Sequence, residues 1–374
     1  MEAFIKQQSF YDVLGADDFE EFDVKKSTDW KWTFADYPDK NGLTVFSCFA
    51  CGGGSTMGYK LAGYDVIGCN EIDRRMNEIY VANHNPKYNF LMDIRQFNRL
   101  TDDQLPPELF SLDILDGSPP CTTFSMAGQR EETWGKSKKF REGQQEQTLD
   151  DLLFVFIETV GKFRPKFAIM ENVEGLIRGS AWKYVQRVYT EFKRIGYQVK
   201  HWLLKGNQMG IPQKRHRVFF IATRLDLDLR NLNLHFNYEE IPFGQIKSPR
   251  GSKKIGGETL TGLINEAKFG ERSLEPASYR LSGKYSFFNY YFLYDHAVAN
   301  TLTTGGNFIR WDTKEQPSKD DIVSISTFPQ DFNFLSDSLG TVNYVCGMSV
   351  PPLMIKRIAE RLTPILLGGY DGKK

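Results

Sequence analysis

Cysteine is scarce in this chain. The five residues, at positions 48, 51, 69, 121 and 346 of 374, are too few and too scattered to staple a small secreted scaffold, so a reducing compartment is the natural home. Histidine is equally thin, and His84, His201, His216, His235 and His296 show no metal-ligand spacing. Cys48 and Cys51 form a C-x-x-C without a second pair, so no metal site is expected. Long apolar runs are missing too: none approaches the ~18 residues that span a bilayer. The opening Met-Glu-Ala-Phe-Ile-Lys-Gln-Gln lacks a signal-peptide core. A cytoplasmic protein with no membrane partner is expected. There is no internal repeat, no low-complexity tract and no G-K-[ST] after a glycine turn, which argues against P-loop phosphoryl transfer. Net charge is absent, with 47 Lys and Arg against 47 Asp and Glu. The balance is uneven, because residues 1–40 hold ten acids and five bases, leaving a formal +5 on the remainder. Nucleic acid therefore stays open as a partner.

What is present is ordinary globular material, 41% hydrophobic and 25% charged. At ~150 residues per domain, this length suits about two domains. From Leu43 the chain alternates strand-like and helix-like segments. Strands are expected over 43–48, 64–69, 110–115, 167–170, 197–204 and 217–223. Helices are expected over 55–62, 73–82, 152–163 and 182–195. This alternation predicts a doubly wound, Rossmann-like α/β sheet with its ligand at the carboxyl ends of the strands. After Thr223 the pattern fails. Residues 245–284 carry eight Lys and Arg against four Asp and Glu, with six glycines, and read as a loop-rich second region. Pro351 to Leu362 closes the chain as an amphipathic, proline-started helix.

Four groups of residues carry chemistry. The first is the glycine cluster at 52–54, between a strand and a helix, where bare amides let a cofactor approach. Glu71, 18 residues beyond Gly53 and at the end of the next strand, matches the spacing of an acid that accepts ribose hydroxyls. A plain tight turn is the alternative. The second is Asp116-Gly-Ser-Pro-Pro-Cys121, where two prolines hold a cysteine in an irregular loop at a strand end, a place to display a nucleophile. The alternative is a buried structural thiol. The third is Glu171, at another strand end, an acid that could protonate or hydrogen-bond a ring under attack. The fourth is Gln213-Lys-Arg-His-Arg217, where alternation puts Arg215 and Arg217 on one side and His216 on the other. A solvated charged face would read the same way.

Taken in order, Phe49-Ala-Cys-Gly-Gly-Gly54, Asn70-Glu-Ile-Asp73, Asp93-Ile94, Ser118-Pro-Pro-Cys121 with Phe124-Ser125, Glu171-Asn-Val173, Gln213-x-Arg-x-Arg217 and Gly347-x-Ser-Val-Pro-Pro352 resemble the cytosine-5 DNA methyltransferases. The resemblance spans about 43–223 and 299–362. It implies a Rossmann-like S-adenosylmethionine-dependent methyltransferase domain over 41–223, completed by 340–374. An extension at 1–40 and a smaller target-recognition domain at 224–339 complete the implied layout. The reaction implied moves a methyl group from S-adenosylmethionine to carbon 5 of a flipped-out cytosine, releasing S-adenosylhomocysteine. Cys121 would be the nucleophile. Glu171 would hydrogen-bond the ring, Arg217 and Arg215 would donate to its carbonyl oxygen, and Arg215 would also position Glu171. The cofactor would meet Phe49, Gly53, Glu71 with Ile72, Asp93, Ile94, Pro120, Leu152 and Ser349. Residues 126–147 would close over duplex DNA. The expected context is a monomeric prokaryotic or phage modification enzyme, with or without a cognate restriction endonuclease. The rivals are a transfer-RNA methyltransferase of the same fold, a catalytically silent DNA-binding module and a nicotinamide dehydrogenase. The chain departs from the family at Ser47 (often aspartate), Cys51 (often glycine), Thr122 (often glutamine) and Met348 (usually asparagine).

Overall fold

The computed structural model describes residues 24–120, 151–227, 229–230, 232–287 and 289–368. Seven strands make one sheet: β1 (Thr44–Cys48), β2 (Asp65–Glu71), β3 (Tyr88–Leu91), β4 (Ile114–Gly117), β5 (Phe167–Val173), β6 (Tyr197–Lys205) and β8 (His216–Arg224). Their spatial order is β3-β2-β1-β4-β5-β8-β6. The first five run parallel, and β8 lies antiparallel between β5 and β6. The short β7 (Gln213–Lys214) leaves this sheet to pair with β10 (Ala299–Asn300), while β9 (Tyr291–Leu293) pairs with β11 (Phe308–Arg310). The expected doubly wound α/β architecture is therefore what the chain adopts. Its order reverses between β1 and β4, where such sheets open a crevice for ligands.

The helices follow from apolar alternation along the strands. Val45, Ile114, Phe167, Ile169, Phe219 and Ile221 face one apolar core, while Phe46, Leu115, Ala168, Met170, Val218 and Phe220 face the other. The first core takes α1 (Gly54–Leu61), α2 (Arg74–His84) and α11 (Pro352–Leu366). The second takes α3 (Ile94–Arg99), α4 (Leu152–Phe163) and α5 (Trp182–Arg194). A Cβ on Gly58 of α1 would stand 2.4 Å from the Pro352 carbonyl oxygen and 2.5 Å from Ile355 Cβ, so that glycine sets how closely α11 lies on α1.

Two expectations change. The strand read at 110–115 begins later, at Ile114. Pro107 starts a 3-10 turn over Pro107–Ser111, which leaves Phe110 37% exposed. Strand β3 has no clear sequence signature, because Asn89 is exposed, its other residues are half-buried, and polar and apolar groups interleave. Beyond Thr223, short helices appear in what read as loops: α6 (Phe243–Ile246), α7 (Glu258–Glu266) and α8 (Glu275–Ser282). At four to nine residues they are too short for a visible helical period. Leu263, Ile264, Leu274, Ala277, Phe292, Tyr294 and Ile309 form a separate small core there. In contrast, Leu229 to Ile246 and Ile322 to Phe334, with α9 (Lys319–Ile325), join the core under the sheet. The last cross-piece is α10 (Leu339–Met348). Among the described residues, no helix is long and apolar enough to cross a membrane.

Candidate active site

At the carboxyl edge, around the β1/β4 switch point, lies a cavity of about 450 Å³, in the size range of small-molecule sites. One end is built by the glycine turn and the acids that follow it. Phe49 and Cys51 hold left-handed backbone at φ 55° and 47°, and Gly53 follows at 87° as the N-cap of α1. This folds the turn tightly enough to bring the Phe49 ring and Cys51 to the cavity wall. The turn rests on His84, whose ring nitrogen Nε2 lies 3.2 Å from the Gly52 carbonyl oxygen. Burial holds this imidazole down to about 3, hence neutral. Any side chain on Gly53 would run into that ring, with Nε2 at 2.0 Å from an added Cβ.

Glu71 terminates β2 and is buried. Its Oε2 accepts the Cys51 amide at 2.7 Å, and its Oε1 accepts the Ile72 and Asp73 amides at 2.8 Å each. Burial raises its carboxyl above the usual glutamate range, with those amides opposing the rise. Asp93 caps α3 by accepting the Arg95 amide at 2.7 Å. Asn70 ties β2 to the end of β3 through the Phe90 and Met92 carbonyls. Ile72, Ile94 and Leu152 add apolar walls.

The other end is made by β5, β8 and the loop after β4. Glu171 is buried, and the Arg217 Nε lies 2.8 Å from its Oε1. Antiparallel register sets Arg217 opposite Val173, diagonal to Glu171 across the pair. Arg217 also donates to the His216 carbonyl at 2.7 Å, while the His216 ring points to Glu174 at 3.3 Å. Both arginines line the cavity, as alternation predicts. Positioning of Glu171 differs from the expectation: Arg217, and not Arg215, makes the ion pair. The Arg215 guanidinium is drawn to the Leu302 carbonyl at 3.2 Å and the Gly347 carbonyl at 3.1 Å, joining three chain segments. Burial, with Arg217 repulsion added, lowers it to about 9. Ser118, Pro119 and Pro120 complete this wall, and the Asn172 amide donates to the Pro119 carbonyl at 3.2 Å.

Phe49, Glu71, Ile72, Asp93, Ile94, Pro120, Leu152, Glu171, Arg215 and Arg217 thus share one cavity. Gly53 and Ser349 do not line it. Ser349 packs behind the turn, its Cβ 2.9 Å from where a Cβ on Gly54 would stand. Cys121, which follows Pro120 directly, and the segment 126–147 lie outside the described residues. Sequence reasoning missed Met92, Tyr344 and Thr301 to Thr304 on the wall. Among them only the run Thr301-Leu-Thr-Thr304, just before two glycines, offered a signal. Among the described residues, no group of three or more metal-ligating side chains occurs.

A sequence model of the C-5 cytosine-specific DNA methylase family matches residues 43–266. The chain is 26% identical over 336 residues to the type II methyltransferase M1.HphI of Haemophilus parahaemolyticus, covering 85% of this chain and 86% of that one. To M.FnuDI of Fusobacterium nucleatum it is 30% identical, over 53% of this chain and 52% of the relative. Among solved structures, a prophage-encoded E. coli protein described as a DNA modification methyltransferase superposes with a TM-score of 0.66 at 16% identity. That match covers 87% of this chain and all of the other. Spodoptera frugiperda DNMT2 superposes at 0.60 and 14% identity, over 87% of this chain and all of the other. At these identities the structural likeness speaks to fold.

Proposed function

Because this chain belongs to the C-5 cytosine-specific DNA methylase family, we propose that it methylates carbon 5 of one cytosine in a specific duplex DNA site, using S-adenosylmethionine and releasing S-adenosylhomocysteine. The observation that carries this reading is the pairing of two ends in one cavity. Amide-bound Glu71 and helix-capping Asp93 stand at one end, and the Glu171–Arg217 pair beside the Ser118–Pro120 wall stands at the other. The donor set at the first end fits an adenosine-bearing ligand. Carboxylates at strand ends can accept from hydroxyl and amino groups, and Phe49, Ile94 and Leu152 can flank a flat ring. S-adenosylmethionine, when bound there, supplies an electrophilic methyl group.

The chain's own residues make carbon 5 reactive. Cys121 sulfur, as thiolate, bonds to carbon 6 of the cytosine, and the ring's electron density moves toward carbon 5. Glu171, oriented by Arg217, hydrogen-bonds the ring nitrogen and exocyclic amine while charge gathers in the ring, and Arg217 donates to the carbonyl oxygen. Once carbon 5 is methylated, a base takes its proton, the carbon 6–sulfur bond breaks, and the thiolate returns. A stacked cytosine cannot reach such a cavity, so the base is extruded from the duplex.

DNA readout is assigned to the 224–339 region, in the part with its own core between Leu263 and Ile309. The enzyme works as a cytoplasmic monomer without a metal. The type II relatives support functional pairing with a restriction endonuclease. Bisulfite sequencing of a plasmid from a host expressing the chain tests this, since it reports methylation and its site together. Protected cytosines at one recurring sequence are expected, and their absence, with transfer to tRNA instead, would overturn the DNA assignment. Trapping on 5-fluorocytosine DNA tests the bond to carbon 6. A covalent adduct is expected for the natural chain and none for Cys121→Ser.

A further inference from the structure

Resting on the reading of this cavity as the S-adenosylmethionine site, we propose that Asp116 is a positioning residue that locks the glycine turn to the Pro-Pro-Cys loop, supplying from β4 the carboxylate that the family resemblance places at position 47 on β1. Strands β1 and β4 are neighbours at the switch point, and Ser47 stands in register with Asp116. The Ser47 hydroxyl donates to Asp116 Oδ2 at 3.1 Å, and the Tyr59 hydroxyl donates to Oδ1 at 3.1 Å. The Ser55 hydroxyl, in the first turn of α1, also favours the ionised carboxyl. One carboxylate thus gathers the end of β1, the start of α1 just past the glycine turn, and a residue one turn further along α1.

On its own strand, Asp116 precedes Gly117, which leads straight into Ser118, Pro119 and Pro120 on the cavity wall. An added Cβ on Gly117 would meet the Phe156 ring at 2.4 Å, so the absence of a side chain lets that ring pack directly on the chain between Asp116 and the wall. Asn172 holds the next stretch through the Pro119 carbonyl. A movement at Asp116 is therefore passed toward both the cofactor end and the loop that carries Cys121.

The chemistry of the site marks this carboxyl as unusual. Asp116 is fully buried, yet no cationic side chain forms an ion pair with it among the described residues. Hydroxyl donors alone must offset the loss of solvation. Burial raises it to about 7, against the three hydroxyls and with a smaller contribution from Glu171. Ionised, it accepts from Ser47, Ser55 and Tyr59 together. Protonated, its O–H donates, so one of those hydroxyls must turn from donor to acceptor and the carboxyl's hold on the three segments weakens. Because the Ser47 and Asp116 oxygens are 3.1 Å apart, an aspartate at 47 would reach the same neighbourhood from the adjacent strand.

The test is a swap in the full chain, read by equilibrium binding of tritiated S-adenosylmethionine and by kcat between pH 6 and 8.5. Asp116→Ser is expected to weaken binding about tenfold, the scale of losing hydrogen bonds to a charged group. The double variant Ser47→Asp with Asp116→Ser is expected to recover to within about threefold of the natural chain, as a restored local contact should. Binding by the natural chain is expected to weaken below pH 7, and Asp116→Asn to bind with no inflection there. A swap no better than the single variant, or an inflection that survives in Asp116→Asn, would overturn the proposal. Should Asp116→Ser not fold, a folded, cofactor-binding swap supports it and an unfolded swap overturns it. If the natural chain itself fails to bind S-adenosylmethionine, the reading of the cavity fails instead, which keeps the two failures apart.

Discussion

The two ends of the cavity solve one problem in different ways. Each must keep a buried glutamate ready to accept or share hydrogen bonds. Glu71 is held by three backbone amides, and no cationic side chain pairs with it among the described residues. Its position is set by the turn, and its proton affinity by burial against those amides. Glu171 is held by a guanidinium from another strand, so its position depends on one side chain. Amide binding is rigid because the donors belong to the backbone. Ion pairing can be broken by a single substitution, and the partner is then left buried and uncompensated.

The largest expected effect therefore lies at the second end. Arg217→Ala should lower kcat/KM for DNA by ~10²- to 10³-fold, the usual cost of removing one preorganised donor at a developing charge. Binding of S-adenosylmethionine should be nearly unchanged. Steady-state kinetics beside cofactor binding would show it. Equal losses in both would mean that the ends do not act separately.

Next in size is Glu71→Ala, with the opposite signature: cofactor affinity down by about ten- to a hundredfold, as for a lost charged hydrogen-bond partner, and kcat at saturating cofactor little changed. The pH dependence sharpens the contrast. Burial raises the Glu71 carboxyl above its ordinary value of 4.5, so it is protonated earlier as pH falls and becomes a weaker acceptor for a hydroxyl. Cofactor affinity should fall on the acidic side sooner than for an exposed glutamate. Glu71→Gln should bind more weakly and lose its own part of the acidic fall, while the Asp116 inflection near pH 7 remains. Calorimetric titrations at several pH values would decide.

Much of the first end was legible in the sequence because it is local. The turn, α1, β2 and Glu71 follow one another along the chain, and strand, glycines and acid fall at spacings fixed by strand and helix geometry. Glu171 and the arginines were legible as strand-end residues, but their partnership was not. Which arginine meets Glu171 depends on antiparallel register between β5 and β8 and on carbonyls at Leu302 and Gly347 that draw Arg215 away. The wall at Thr301 to Thr304 comes from a segment with no helix and only the two-residue β10 before it, and Tyr344 from the small-residue helix α10. Ser349 illustrates the reverse: its motif is clear in sequence, yet it serves the turn from behind rather than from the cavity. The late start of β4 has a similar cause, since apolar alternation across Phe110 to Leu115 does not register a proline-started 3-10 turn.

Stability depends on the packing that carries the first end. Gly58→Ala would push a methyl group into the Pro352 carbonyl and Ile355, separating α1 from α11. Overpacking of this kind costs about 1–3 kcal/mol, which should appear as a lower midpoint in denaturant melts. The glycine turn rides on α1, so cofactor binding should weaken with it while the Glu171–Arg217 pair is left intact. An unchanged midpoint would mean that α11 can shift freely on α1.

The smallest effect is expected at Met348. It lines the cavity at the end of α10 and is 41% exposed, at a position where the family resemblance expects asparagine. A half-exposed thioether offers dispersion contacts but no strong acceptor, and its flexible chain pays rotamer entropy when a ligand fixes it. Met348→Ala should therefore change S-adenosylmethionine affinity by less than about threefold, within the ±0.5 kcal/mol of most surface substitutions. Met348→Asn would add an amide that can donate or accept, so any change should be a tightening. A tenfold loss in Met348→Ala would place a principal cofactor contact on α10, and the first end could then no longer be described by the turn, Glu71 and Asp93 alone.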